Sequence, residues 1–253
     1  MAESLQVELL PVPHGFFTRR GGVSNGPFAS LNCSLSSPDD RAAVLRNRSL
    51  VADVFGLAQD SLVGCTQVHG TSVVDVTLPW ALGAGPRADA MVTKRPGVAL
   101  GIITADCAPV LFADAEAGVV GAAHAGWRGA VAGIIEATIA AMAQLGARAD
   151  RIVAAVGPCI AQNSYEVAVD LRDAVIRRAP EDAQFFTDGV HEARWQFDLP
   201  GYCAARLRAA HVARVAVTGV DTLAEEDRFF SHRRRTLVGG GPIGHQISVI
   251  AVG

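Results

Sequence analysis

The chain has 253 residues, 50% hydrophobic and 19% charged, with 22 basic against 25 acidic side chains and a formal net charge of -3. That balance excludes a charge-rich disordered chain and argues against a general nucleic-acid binder, which concentrates positive charge on one face. Lys94 is the one lysine, the other basic residues all being arginine, and a chain of this length buries enough surface to fold without a disulfide framework.

The opening MAESLQVELLPVPHG carries Glu3 and Glu8 and no Lys or Arg before Arg19. It therefore lacks the basic start and continuous apolar run of a secretory signal. Pro38-Asp-Asp predicts a helix start, with Val44, Leu45, Val51, Val54 and Phe55 along one face and Gly56 closing it. Short strands are predicted over 62–68, 72–77, 90–93, 98–104, 110–113 and 119–124. Gly, Pro or Asp separates most of them, and the gaps are too short for crossover helices, so an antiparallel or mixed sheet is expected.

The apolar stretch 130–143 carries Glu136 and falls short of the roughly 20 residues of a membrane span, so it predicts a buried helix over 130–145 ended by Gly146. A strand over 152–156, helices over 169–178 and 200–211, and strands over 212–218 and 246–252 complete the pattern. Strands dominate first and helices enter later, which predicts one α+β domain over 1–253, its mixed or antiparallel sheets covered by helices. Cys33, Cys65, Cys107, Cys159 and Cys203 are odd in number, widely spaced and without a C-x-x-C pair. Reduced thiols in a cytoplasmic protein are expected, with no membrane or nucleic-acid partner.

Two textual motifs carry no chemistry. Gly239-Gly-Gly-Pro-Ile-Gly244 matches a dinucleotide fingerprint, but Pro242 and the nearby chain end leave no helix to receive a pyrophosphate. Gly22-Val-Ser-Asn-Gly26 matches a nucleophile elbow, but Pro27-Phe-Ala follows where a helix must start. The informative set is His69, Cys107 and His124, each placed where a predicted strand gives way to a turn. Two imidazoles and a thiolate suit zinc, with copper as the alternative, and three ligands leave a fourth position for water or substrate. Spacing alone leaves open two core histidines and a buried thiol.

His124-Ala-Gly-Trp-Arg-Gly129 leads into the Ala/Ile helix, where glycines, free N–H groups and Arg128 make an anion site or an ordinary strand–helix turn. Phe17-Thr-Arg-Arg-Gly-Gly-Val-Ser24 offers a second anion-binding loop through Arg19 and Arg20. Phe229-Phe-Ser-His-Arg-Arg-Arg235 reads as a solvated basic run.

Taken in order, Phe17-Thr-Arg, Gly26-Pro-Phe-Ala-Ser-Leu-Asn32, Gln67-Val-His-Gly70, Ala88-Asp-Ala90, Thr104-Ala-Asp-Cys107, Ala123-His-Ala-Gly-Trp-Arg-Gly129, Gly157-Pro-Cys-Ile160, Tyr165-Glu-Val167, Phe197-Asp-Leu199 and Phe229-Phe-Ser-His-Arg-Arg234 closely resemble one family. Its members were once described as multicopper polyphenol oxidases with a laccase domain and later as purine nucleoside phosphorylases. The resemblance covers nearly the whole chain. It implies a metal site at His69, Cys107 and His124, and phosphorolysis of adenosine, inosine and S-methyl-5′-thioadenosine to base and ribose 1-phosphate, with adenosine deamination. It also implies an α+β fold similar to the deamidase domain of cytotoxic necrotizing factor. Cys107, His124 and Asp106 are the expected catalytic groups, with Asp106 moving protons or acting as a structural cap. Arg19, Asn32, Gln67, Arg128, Gly129 and His232 are the expected nucleoside- and phosphate-binding residues. His232 departs from the Tyr expected in many members.

Three rivals accompany this reading. A true multicopper laccase needs more imidazole ligands than seven histidines supply. A metal-free Cys107–His124 amidase editing peptidoglycan precursors is the second, and a non-enzymatic metal-binding protein the third. A monomer or a homodimer fits each of them.

Overall fold

The computed structural model describes residues 2–253. The strands are β1 (Ser4–Leu5), β2 (His14–Phe17), β3 (Leu62–Val63), β4 (Val73–Asp75), β5 (Ala90–Thr93), β6 (Ala99–Thr104), β7 (Ala108–Asp114), β8 (Val119–Ala125), β9 (Val153–Val156), β10 (Glu166–Val167), β11 (Phe186–Asp188), β12 (Trp195–Phe197), β13 (Arg214–Val217) and β14 (Gln246–Ala251). The helices are α1 (Arg41–Val54), α2 (Trp127–Ala132), α3 (Ile134–Gln144), α4 (Val169–Arg178), α5 (Leu199–Ala209) and α6 (His232–Leu237). One sheet has the order β1-β2-β14-β6-β3 and a second β13-β9-β7-β8-β5-β4, with β10-β12-β11 as a small third. Both large sheets are mixed: β3/β6, β4/β5 and β9/β13 are parallel and the remaining pairs antiparallel.

Successive side chains of a strand point to opposite faces, and here both faces are covered, so the central strands are apolar throughout rather than alternating. In β7, Ala108, Val110 and Phe112 pack with residues of α3 and α5, while Leu111 and Ala113 join Leu100 and Ile102 of β6 between the sheets. On the far side of the five-stranded sheet, Ile247 and Val249 of β14 meet Val51 and Ala52 of α1. The layers therefore run helix, sheet, sheet, helices. No helix among the described residues is long and apolar enough to cross a membrane.

Three expectations change. The helix expected over 130–145 is two helices, because Gly133 adopts φ +106, a left-handed conformation that ends α2 and caps α3. The buried face of α1 includes Asn47 and Arg48, while Val54 is exposed. The Asn47 amide donates to Ser24 Oγ and to the Ser30 and Asn32 carbonyls and accepts from Val23 N–H, which pins the 19–34 loop to α1. The basic run 233–235 lies in α6, where Ser231 Oγ accepts from the Arg234 N–H at the N-terminus and the Arg234 guanidinium donates to the carbonyls of Thr222, Leu223 and Phe229.

Asp114 ends β7, and its buried carboxylate accepts from the N–H groups of Ala117 (3.1 Å) and Arg148 (2.9 Å) and from the Arg151 guanidinium. Burial pushes this carboxyl up, but those donors outweigh it and hold it below its ordinary 3.8. A carboxyl depressed in the folded state contributes stability above its unfolded value and loses it as acid titrates through the folded one. Asp114→Asn is therefore expected to cost about 1–3 kcal/mol at neutral pH. That gap should narrow below about pH 4, as read by urea denaturation across pH.

Candidate active site

The site forms where the chain passes between the two large sheets. Residues 64–72 leave β3 in the five-stranded sheet for β4 in the six-stranded one and carry His69 at φ +60. Residues 105–107 make the same passage from β6 to β7, with Asp106 at φ +91 immediately before Cys107. His124 lies near the end of β8, paired with Pro109 of β7. These left-handed non-glycine residues are strained conformations that surrounding contacts must hold.

The two crossings and the strand end bring His69, Cys107 and His124 together, one ligand atom of each within 4.8 Å of the others. Cys107 Sγ lies 3.9 Å from His69 Nε2, and the two imidazoles meet edge to face with centroids 4.7 Å apart. A Cβ on Gly126 would come within 2.9 Å of His69 Cδ2 and 3.0 Å of Cys107 Sγ, so glycine is required there by contact. Tetrahedral zinc with N and S donors places those atoms about 3.4–3.6 Å apart, somewhat inside the present 3.9 Å between Cys107 Sγ and His69 Nε2. Two imidazoles and a thiol are a donor set that fits a metal of this kind.

Asp89, immediately before β5 and fully buried, organises the cluster. One carboxylate oxygen accepts from His124 Nδ1 (2.9 Å) and His69 N–H (2.8 Å), the other from Gly70 N–H (2.7 Å). It thus holds the His69 loop and turns His124 Nε2 towards the cluster, the outer support seen behind metal-bound histidines. Burial pushes the Asp89 carboxyl up, but the His124 ring and the Gly70 and His69 amides bring it below its ordinary value. Burial likewise opposes the charged forms of Cys107 and His124, yet each favours the other: His124 and His69 lower the thiol, while Cys107 and Asp89 raise the imidazole. The thiolate that a metal needs is therefore the preferred form. Asp89 was visible in the sequence only as the centre of Ala88-Asp-Ala90.

A cavity of about 810 Å³ opens beside the cluster and is lined in part by Gln67, Asp106, Trp127, Arg128, Tyr165 and His232. Gln67 clamps the edge of β6, donating to the Ile103 carbonyl and accepting from its N–H. His232 Nδ1 lies 3.1 Å from the Arg235 guanidinium. Arg128 lies over the Trp127 ring at 4.5 Å.

Other expected site residues are engaged elsewhere. Arg19 donates to the carbonyls of Ala29 and Glu226 and lies over Phe230, and Arg20 bonds the Asp227 carbonyl and pairs with Glu3, so their loop is built on its arginines rather than offering them to an anion. Asn32 is buried, joining Ser37, Asp39 and the Ser34 and His245 amides. Gly129 serves close packing, since a Cβ there would lie 3.0 Å from the Gly70 carbonyl. The Asp106 carboxylate accepts from Thr222 Oγ1, Ser231 Oγ and the Arg233 N–H, at 2.7, 3.0 and 2.6 Å. Of the two roles expected for Asp106, this placement matches the cap: it ties the Cys107 turn to α6.

Layered mixed sheets with a His₂Cys cluster at their crossing define a class of α+β protein with a candidate catalytic metal site. Over residues 13–253 the chain belongs to the family described as multi-copper polyphenol oxidoreductase laccase. A relative from Deinococcus radiodurans named purine nucleoside phosphorylase is 44% identical over 238 residues, covering 91% of this chain and 87% of that one. A purine nucleoside phosphorylase of Corynebacterium glutamicum is 36% identical over 249 residues, covering 98% and 97%. The crystal structure of protein NMB0706 from Neisseria meningitidis superposes with a TM-score of 0.86 at 37% identity, covering 96% of each chain.

Proposed function

We propose that this chain is a metal-dependent purine nucleoside phosphorylase acting on adenosine, inosine and S-methyl-5′-thioadenosine, with adenosine deamination as a side activity. The observation that carries the reading is the His69–Cys107–His124 cluster beside a cavity that also takes in Arg128, which has no hydrogen-bond or ion-pair partner among the described residues. The names of the relatives support the same reading. Zinc, or copper as the alternative, would be held by His69, Cys107 and His124 and would supply Lewis acidity when bound. Asp89 fixes the His124 ring. Arg128 holds phosphate through charge-assisted hydrogen bonds, and Trp127 and Tyr165 line the same cavity. In phosphorolysis the bond from the ribose anomeric carbon to the base breaks as one to a phosphate oxygen forms. The proton of the hydrogen phosphate ends on the released base.

Metal-loaded protein is expected to release hypoxanthine from inosine only when phosphate is present, and His69→Ala and Cys107→Ala to abolish that release. Phosphate-independent turnover that survives both substitutions sinks the assignment.

One observation favours a second reading. Asp89, His124 and Cys107 form a carboxylate–imidazole–thiol series of the kind that activates a nucleophile, as in a hydrolase cleaving an amide of a peptidoglycan precursor. Amide hydrolysis that persists after complete chelation and stops on thiol alkylation selects it.

A further inference from the structure

We propose that Arg233 is the second arm of an oxyanion site whose first arm is Arg128, the two guanidiniums gripping phosphate from separate aromatic supports. The inference rests on the phosphorylase reading and adds a residue that the sequence placed in a solvated run. Arg233 and Arg128 both line the cavity beside the metal cluster and a second, outer recess of about 690 Å³, and Trp127 and Tyr165 line both as well. The two arginines thus stand at the threshold between them.

Each guanidinium is positioned without being neutralised. Arg128 lies over Trp127, and no hydrogen bond or ion pair to a described residue engages it. Arg233 lies over Tyr165, 5.4 Å from the ring centroid, and gives one N–H to the Glu166 carbonyl at 2.9 Å, which leaves most of its donor fork free. Neighbouring arginines are occupied differently, Arg19 and Arg234 being committed to backbone carbonyls.

Among the described residues, no carboxylate forms an ion pair with either guanidinium. Asp106 is saturated by Thr222, Ser231 and the Arg233 amide, Asp89 by His124 and the His69 loop, and Glu166 by His191 and the Val190 amide. Asp170 and Glu192, on the outer recess, pair with neither arginine. Two guanidiniums lying over aromatic rings, neither paired with a described carboxylate, match a tetrahedral oxyanion. The Asp106 bond to the Arg233 amide anchors this arm to the Cys107 turn, so the anion site and the metal cluster share one support.

The test is isothermal titration of inorganic phosphate into zinc-loaded wild type, R128Q, R233Q and R233K, beside separate KM values for phosphate and inosine. R233Q is expected to weaken phosphate about ten- to a hundredfold and to raise the phosphate KM in step, leaving the inosine KM within about twofold. R233K, which keeps the charge and loses the fork, should fall between, and it carries the test if R233Q does not fold. A folded R233Q or R233K that binds phosphate as tightly as wild type overturns the inference while leaving phosphorolysis standing. Wild type that binds no phosphate and turns over inosine without it overturns both.

Discussion

Cys107→Ser is expected to strip the protein of metal and activity while leaving it folded. The apparent binding energy of a structural zinc is about 10–16 kcal/mol over four ligands, so one thiolate is worth roughly 2.5–4 kcal/mol, about two to three powers of ten in affinity. Serine has nearly the same volume but stays a neutral hydroxyl at neutral pH, so the loss is chemical rather than steric. No other thiol takes over. Burial pushes Cys65, which lines the same cavity, up to about 12, and Cys159 lies well above its ordinary value for the same reason, so both stay protonated. Metal analysis after gel filtration, with a thermal melt on the same sample, reads the result. A melt close to that of metal-free wild type, with little metal and little inosine phosphorolysis, is expected, and Cys65→Ser should stay close to metal-loaded wild type in all three. Full metal retention by Cys107→Ser would remove Cys107 from the ligand set.

The sequence made parts of this site legible for a physical reason. His69, Cys107 and His124 stand where apolar runs stop: the first two where the chain crosses between the sheets, and His124 near the end of β8, before α2. Strand ends therefore pointed to convergence without showing which ends converge. The strands predicted over 98–104, 110–113 and 119–124, found at Ala99–Thr104, Ala108–Asp114 and Val119–Ala125, were visible as apolar runs because both of their faces are buried. β2 escaped notice: at four residues, with Gly15 inside it, it owes its place to β14, which lies more than 200 residues further on. Arg19 and Arg128 looked alike as arginines beside glycines, and only tertiary partners separate them, since carbonyls of Ala29 and Glu226 claim Arg19 and nothing among the described residues claims Arg128. Arg233 was hidden because a run of arginines reads as solvated, whereas the Asp106 carboxylate, distant in sequence, accepts from its backbone amide at the start of α6.

Asp89→Asn carries the second large effect, because no orientation of the new amide suits the donors around it. All of the contacts to the Asp89 oxygens are donors when His124 carries its proton on Nδ1: the amides of Val68, His69 and Gly70 and the ring itself. If the asparagine NH₂ faces Gly70 N–H, two donors stand where the separation is now 2.7 Å. If it faces His69 and His124, the His69 amide loses its acceptor. The His124 ring is then driven to the tautomer with its proton on Nε2, the nitrogen a metal needs. Either way the cost is expected to be about 2–4 kcal/mol of stability, with metal affinity reduced about 10- to 100-fold. The variant differs from Cys107→Ser in one measurable way. Asp89→Asn retains all three ligands, so excess zinc should recover much of its inosine phosphorolysis by mass action and raise its melting temperature. Cys107→Ser should recover little of either at the same zinc concentration. Wild-type zinc affinity in Asp89→Asn would mean that His124 keeps its ring orientation without Asp89, and the supporting role assigned to this carboxylate would fall.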